Sequence, residues 1–413
     1  MKNNEIITFG CRLNIFESQV IKNNIEEANI ENAIVFNTCA VTKEAERQAL
    51  QAIRSAHKKY PEKQIIVTGC AAQLNPEKFA KLQGVTKVLG NIEKLNSKFY
   101  KSLETEIAVS DIMEAHTAED HIVTDFEGKA RAYIQIQNGC NHRCTFCTIP
   151  LARGNNRSLA IGKIVEQTKI LVDQGYNEIV FTGVDISDYG GDLPGTPTLA
   201  QLIRRTLNLV PNLLRLRLSS IDVAEINAEL IELIKHEPRL MPHIHISVQA
   251  GDNMILKRMK RRHNREQVIE FCQNLSLARP DIAFGADIIA GFPTETEEMF
   301  LNSKNLLEEI GFAHLHVFPY SERENTPASK MPQVHPTIRK ERAKILREIG
   351  ANNLKTFLQS MVGKNATVIY EGNHNARTEN FCIVKLSQEL TPGQPYEVYI
   401  DGSTETYLTG KLL

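Results

Sequence analysis

At 413 residues the chain is longer than one ordinary core encloses, so two or three domains are expected. With 42% apolar and 23% charged residues it reads as soluble and globular rather than disordered. Its 48 Lys and Arg against 49 Asp and Glu leave a net charge of −1, which argues neither for nor against a nucleic-acid partner, so any basic surface must be local.

Residues 5–9 form a short apolar run, and a helical pattern follows over 17–28. Residues 33–36 and 64–68 read as further strands, separated by a helix over 43–59. Another helix opens at Asn75 and Pro76, an N-cap and N1 pair. Short Val/Ile runs between amphipathic helices predict a parallel sheet with helices on its faces. From 97 to 127 the pattern weakens and acids gather (Glu104, Glu106, Asp111, Glu114, Glu119, Asp120), as in a linker. A second series then begins, with strands over 132–137, 178–182, 214–218, 243–248, 284–289 and 314–317. Helical segments at 161–173, 198–208, 224–235, 265–277 and 296–310 separate them, which predicts a barrel or partial barrel of six βα units. A charged helix over 336–359 leaves it. The tail changes character, with short strands at 367–370, 381–385, 396–400 and 407–408 between Gly, Asn and Pro turns, the pattern of a small β-barrel. The first residues lack a signal peptide's apolar stretch, and no run approaches the roughly 18 apolar residues of a membrane span. A cytoplasmic location without a membrane partner is therefore expected.

Eight cysteines in such a chain point to metal or redox chemistry rather than disulfides. Cys140, Cys144 and Cys147 have the spacing Cys-x3-Cys-x2-Cys directly after the first strand of the second series, the end at which βα barrels place their chemistry. Structural zinc normally takes four ligands, whereas three cysteines suit a four-iron cluster with one iron open. His142 could be argued as a fourth ligand, but its place between two ligating cysteines makes that awkward. A structural zinc loop and buried free cysteines are the competing readings. Cys11, Cys39 and Cys70 each close a predicted strand, one βα repeat apart, so they share one edge of the first sheet. Spacing alone leaves open whether they hold a second cluster or are small core residues in tight turns. Cys272, in a helix, and Cys382, in a strand, have no partners at ligand spacing and read as core.

The Cys140–Cys147 loop resembles that of the radical S-adenosylmethionine (SAM) superfamily, whose clusters bind SAM and cleave it reductively. Gly183, Ser219, Gln249 and Asp287, at the ends of successive strands, look like that family's SAM-contacting positions. Gly10-Cys-Arg-Leu-Asn14, Asn37-Thr-Cys-Ala-Val41 and Thr68-Gly-Cys-Ala-Ala72 resemble the N-terminal signature of the methylthiotransferases. The segment Arg153–Ser158 fits as well, and the tail, with Arg377–Phe381 and Leu408–Gly410, resembles that family's TRAM domain. The resemblance implies an α/β chain of three parts. These are an N-terminal parallel α/β domain (1–105), a radical SAM core built as a partial (β/α)6 barrel (126–352), and a small TRAM-like β-barrel (353–413).

It further implies two [4Fe–4S] clusters, a SAM-cleaving one on Cys140, Cys144 and Cys147 and an auxiliary one on Cys11, Cys39 and Cys70. One SAM would chelate the open iron and yield a 5′-deoxyadenosyl radical that abstracts hydrogen. A second would methylate sulfur at the auxiliary cluster, and that sulfur would bond to the substrate carbon. Such chemistry belongs to the cofactors, and no catalytic acid–base pair is assigned. An electron donor and a sulfur source come from outside, and the chain is taken as a monomer. Segments 10–18, 182–186 and 316–323 most resemble the branch that modifies N6-threonylcarbamoyladenosine, next to the tRNA anticodon, at adenine C2. The branches acting on isopentenyladenosine or on a ribosomal-protein aspartate usually differ there. A zinc-stabilised RNA-binding protein without catalysis is the alternative from another class.

The tRNA anticodon stem-loop needs basic contacts, and six basic residues crowd positions 256–265. Lys257, Arg258, Lys260, Arg261 and Arg262 are candidates for gripping phosphates, or for a single arginine on the SAM carboxylate. The bland reading is a solvated helix face.

Overall fold

The computed structural model describes residues 4–101, 106–118, 120–126 and 128–413. Glu104, Glu119 and the boundary at 105 lie outside them.

The N-terminal unit runs β1 (Glu5–Thr8), α1 (Arg12–Glu27), β2 (Ala33–Thr38), α2 (Lys43–Lys59), β3 (Gln64–Gly69), α3 (Cys70–Leu74), α4 (Pro76–Ala80), β4 (Val85–Leu89), α5 (Lys98–Lys101) and β5 (Ile107–Ala108). Its five strands lie parallel in the order β1-β2-β3-β4-β5, two more than the sequence patterns show. β5 falls inside the stretch read as a linker, where two residues carry too little periodicity to be seen. Fully buried β2 separates two apolar layers. Ile34, Phe36, Ile65 and Val67 pack with Ile53 of α2 and Phe79 of α4, while Val35 and Ile66 pack with Ile21 and Ile25 of α1. Asn75 does precede a helix with Pro at its start, but its side chain makes no capping bond.

The central unit begins with β6 (Ala132–Gln135), β7 (Gln137–Asn138), α6 (Ile149–Arg153), β8 (Arg157–Ser158), α7 (Ile161–Asp173) and β9 (Glu178–Thr182). It continues through α8 (Leu199–Leu209), β10 (Arg215–Leu218), α9 (Ala228–His236), β11 (His243–Gln249), α10 (Asn253–Arg258), α11 (Arg265–Ala278), β12 (Ala283–Ala290), α12 (Glu297–Ile310), β13 (His314–Pro319) and α13 (Pro336–Met361). The predicted first strand is shorter than its apolar run, because Gln137 and Asn138 leave β6 to pair with β8. Parallel β6, β9 and β10 meet parallel β11, β12 and β13 through bridges at Leu216–Leu240 and Ile221–Ile246. The result is a six-stranded open barrel with β6 and β13 as its edges. Its outward face, with Ile179, Phe181, Leu216, Ile244 and Phe284, joins the helices in the largest core. α1 also joins that core through Phe16 and Val20.

The last unit is a closed barrel, β14 (Asn365–Gly372), β15 (Asn375–Thr378), β16 (Ile383–Leu386), β17 (Pro395–Ser403) and β18 (Leu408–Leu412), in the order β14-β15-β16-β18-β17. β15 is absent from the sequence expectation because its residues, Asn-Ala-Arg-Thr, carry no β-branched alternation. A tight turn creates it, with Asn373 and His374 both at positive φ, the geometry of a two-residue hairpin loop. No helix among the described residues is long and apolar enough to cross a membrane.

Candidate metal centres and active site

Cys11 is the residue before α1, Cys39 the residue after β2, and Cys70 the first of α3, so three βα turns carry the thiols to one edge of the sheet. Gly10 holds φ at 92°, and a Cβ there would sit 2.7 Å from the Cys39 Sγ, so glycine lets the chain pass the thiol. Burial pushes Cys39 up to about 12 and also raises Cys11, with the neighbouring cysteines adding to both. Thiols in that state stay protonated unless a cation is bound.

Arg153, the last residue of α6 beyond the other cysteine trio, reaches into this edge. Its Nε–H donates to the Cys70 Sγ at 3.2 Å, and its other nitrogens donate to Glu17 at 2.8 and 2.9 Å, Asn14 at 2.7 Å and Asn138 at 3.2 Å. Lys94 meets Glu17 at 2.7 Å, and all three charged side chains are buried. Burial alone would raise Glu17, but Arg153 and Lys94 outweigh it and hold the carboxyl at about 2.

Cys140, Cys144 and Cys147 lie between β7 and α6. Gly139 before them has φ 75°, and a Cβ there would meet the Asn155 carbonyl oxygen at 1.8 Å. Gln137 anchors the loop. Its Nε2 donates to the carbonyl of Gly139 and to Asn156 Oδ1 at 2.7 Å, and its Oε1 accepts from the backbone of Val184 and Asp185 at 2.9 and 2.8 Å. Burial pushes Cys147 up to about 12 and raises Cys140, which also feels Asp185 at 3.5 Å. His142 lines the same side as the cysteines, within 4.8 Å of Cys140, and its Nε2 lies 2.9 Å from Asp185 and 3.2 Å from Glu225. Arg261 donates to Asp222 at 2.7 Å, to the Ser247 carbonyl at 2.9 Å and towards the Cys144 Sγ at 3.7 Å. Burial opposes charge on Asp222, but His263 and Arg261 prevail and hold it at about 2.

A cavity of about 150 Å³ opens beside these cysteines, lined also by Val184, Asp185, Ser220, Ser247, Gln249 and Arg261. Gln249 thus lines it directly. Gly183 lies under it, packed where a Cβ would strike Gln137 Oε1 at 2.7 Å. Ser219 donates its backbone N–H to the Phe181 carbonyl at 2.9 Å and does not line the cavity, which its neighbour Ser220 faces instead. Asp287 sits lower in the barrel, 3.1 Å from both His245 and His316. Its carboxyl is held well below the usual range, because these hydrogen bonds outweigh burial.

The basic segment is not one face. Lys257, Lys260 and Arg262 are exposed, whereas Arg258 bonds the Thr294 carbonyl and hydroxyl and Arg261 points into the cluster cavity. Cys272 and Cys382 are buried, Cys272 in α11 and Cys382 just before β16. The sequence named Arg153 only as the start of the Arg153–Ser158 segment, without a role, and gave no site role to Gln137, Asp185, Asp222 or His263.

Each trio is three soft sulfur donors with a guanidinium at one sulfur. Three thiolates gathered this way need a compensating metal charge, and His142, near as it is, has its Nε2 engaged by Asp185 and Glu225, which leaves the second set with three cysteine ligands. That donor set fits an iron–sulfur cluster with an open iron.

An open βα barrel with Cys-x3-Cys-x2-Cys after its first strand defines a radical SAM enzyme, and residues 134–307 match the Radical SAM superfamily. Residues 3–90 match a family described as Uncharacterized protein family UPF0004. The structure resembles the radical SAM methyltransferase TsrM from Kitasatospora setae, with TM-score 0.56 at 14% identity over 80% of this chain and 77% of that one, a likeness of fold alone. The chain is 57% identical to threonylcarbamoyladenosine tRNA methylthiotransferase MtaB of Rickettsia prowazekii, covering 99% of this chain and 98% of that protein. It is 36% identical to the MtaB of Aquifex aeolicus, over 95% of this chain and 98% of that protein. It is also 31% identical to tRNA-2-methylthio-N(6)-dimethylallyladenosine synthase of Ehrlichia chaffeensis, over 92% and 90%. The chain belongs to the radical SAM methylthiotransferases, a family that uses SAM and [4Fe–4S] clusters.

Proposed function

We propose that the chain adds a methylthio group to C2 of N6-threonylcarbamoyladenosine, next to the anticodon of tRNA, using two SAM molecules and two [4Fe–4S] clusters. The observation that carries this reading is the pair of three-cysteine edges joined by Arg153, in a chain so similar to an MtaB protein. When bound, the clusters and SAM supply a radical for an unreactive C–H bond and the sulfur that replaces the hydrogen.

Cys140, Cys144 and Cys147 would hold one cluster and Cys11, Cys39 and Cys70 the other. Gly183 and Gln249 would shape the SAM site from the strand ends, with Ser220 in the place expected of Ser219 and with Asp185 and Arg261 as its charged walls. Asp287, below that cavity, would face the substrate rather than SAM. Lys257, Lys260 and Arg262 offer exposed charge to tRNA phosphates, while Arg258 serves the protein's own packing and Arg261 the cluster cavity. The electron donor and sulfur source are external, the working form is a monomer, and its place is the cytoplasm. The division at 1–105, 126–352 and 353–413 describes the working parts, with α13 running through residue 353 as the connecting helix.

Nucleoside mass spectrometry of tRNA from a strain lacking the gene tests the reading. Loss of 2-methylthio-threonylcarbamoyladenosine, with 2-methylthio-isopentenyladenosine retained, is the expected result. An unchanged level of the former refutes it. Protein purified without oxygen should carry about eight irons. A colourless protein with stoichiometric zinc refutes the two-cluster assignment.

A further inference from the structure

Cross-strand partners share a face, so the pairs Glu178–Arg215, Val180–Arg217, His245–Gly285 and Asp287–His316 define the inside of the open barrel. The opposite face packs under the helices, and the concave face is polar and charged. His245 lies on that face one pleat, roughly 7 Å, below Ser247, which lines the cluster cavity.

Phe381 forms the floor of this chamber. It leaves the C-terminal barrel at φ 72°, stacks on His243 at 4.9 Å, and is ringed by four guanidiniums. Their carbons lie 4.3 Å (Arg377), 5.0 Å (Arg217), 5.4 Å (Arg131) and 5.5 Å (Arg12) from the ring centre. Three of the four have carboxylates. Arg131 and Arg217 pair with Glu178 at 2.7 and 2.9 Å, and Arg377 pairs with Glu371 at 2.9 Å. Arg215 shares Glu178 at 3.7 Å, and Glu379 lies farther off beside it.

Arg12 differs. It comes from the start of α1 across the open side of the barrel and has no hydrogen-bond or ion-pair partner among the described residues. Next to it, His243 is 3% exposed, and neither of its ring nitrogens has a partner. An unpaired guanidinium beside an unsatisfied imidazole, in a chamber with surplus positive charge, is costly unless an anion completes it.

We propose that Arg12 and the chamber above Phe381 bind the carboxylate of the substrate's threonylcarbamoyl group and so select this nucleoside. This rests on the adenosine-modifying reading above. An RNA phosphate is the other source of such an anion. The chamber, however, lies inside the barrel beneath the cluster cavity, where a flipped-out base and its substituent can enter but a stem backbone cannot. Arg12 also directly follows Cys11, so the same turn that presents the second thiol trio presents the guanidinium. A nucleobase held between the two cysteine edges would extend its N6 substituent towards it.

Binding of anticodon stem-loops to reconstituted protein is the test. The loops carry threonylcarbamoyladenosine, its carboxylate methyl ester, isopentenyladenosine or plain adenosine, and the iron content of each protein is matched first. Wild-type protein should bind the threonylcarbamoyl loop about 10- to 100-fold tighter than its methyl ester. Arg12→Gln should lose the same factor for that loop only, and Arg12→Lys should lose less. Equal weakening on all loops would identify a phosphate contact and overturn the proposal. Indifference of wild-type protein to the methyl ester would overturn it without any variant having to fold. Wild-type turnover separates the two claims. Modification of the isopentenyl loop alone sinks the substrate reading, whereas modification of the threonylcarbamoyl loop with no effect of Arg12→Gln sinks only this inference.

Discussion

Replacing Arg153 with Met tests how firmly the two cysteine-bearing edges are tied. The guanidinium spans from the end of α6 to the N-terminal sheet, and five hydrogen bonds vanish with it. Glu17 is then left with Lys94 alone at a site closed to solvent, and the Asn14 oxygen loses its guanidinium donor, while Asn138 keeps only the Gly139 N–H. Breaking a buried charge pair from one side costs about 3–5 kcal/mol. Lys94 keeps the carboxylate partly compensated, which favours the lower end. Guanidinium unfolding under anaerobic conditions should show that loss. A cycle with Glu17→Gln should give a coupling of about 1–3 kcal/mol, because the residues meet directly. Arg153→Met within about 1 kcal/mol of wild type, or strict additivity with Glu17→Gln, would refute the claim that this network holds the edges together.

Acid should unfold the cluster-free protein early. Burial would raise Glu17 and Glu178, but Arg153 and Lys94 at the first, and Arg217 and Arg131 at the second, hold both at about 2 instead of 4.5. The unfolded chain then binds protons first, so this stabilisation is whole above the ordinary glutamate range and is lost as pH falls towards about 2. A Tm that stays flat between about pH 5 and pH 3 would contradict it. Cys39→Ala should halve the iron yet keep reductive SAM cleavage, while Cys144→Ala should halve the iron and abolish it; iron assay and 5′-deoxyadenosine yield read both. Gly139→Ala forces a side chain onto the Asn155 carbonyl at a positive φ. It should cost about 1–3 kcal/mol and lower the iron retained, with Tm and iron content as the measurements.

The cysteine loop was legible because its ligands crowd into eight residues, and the second trio because βα repeats convert distant positions into one edge. What escaped the sequence is what contact creates. Arg153 meets Glu17 across 136 positions, and Gln137 reads as an ordinary strand residue until its amide is seen clamping two loops. The basic segment at 256–265 looked uniform, yet Lys260 adopts φ 58° and the turn sends Arg261 inward and Arg262 outward. Phe381 was expected inside a strand. Its positive φ and its place under the neighbouring barrel come from the docking of two units, which one-dimensional periodicity does not encode.

The helix α1 belongs to two cores at once. Phe16 and Val20 pack into the open barrel while Ile21 and Ile25 pack under the N-terminal sheet. A beam embedded in both walls cannot act as a hinge, so the separation between the two thiol trios is a constant of the fold. Traffic must come from the substrate, with the base threaded into a gap whose width was set when α1 folded.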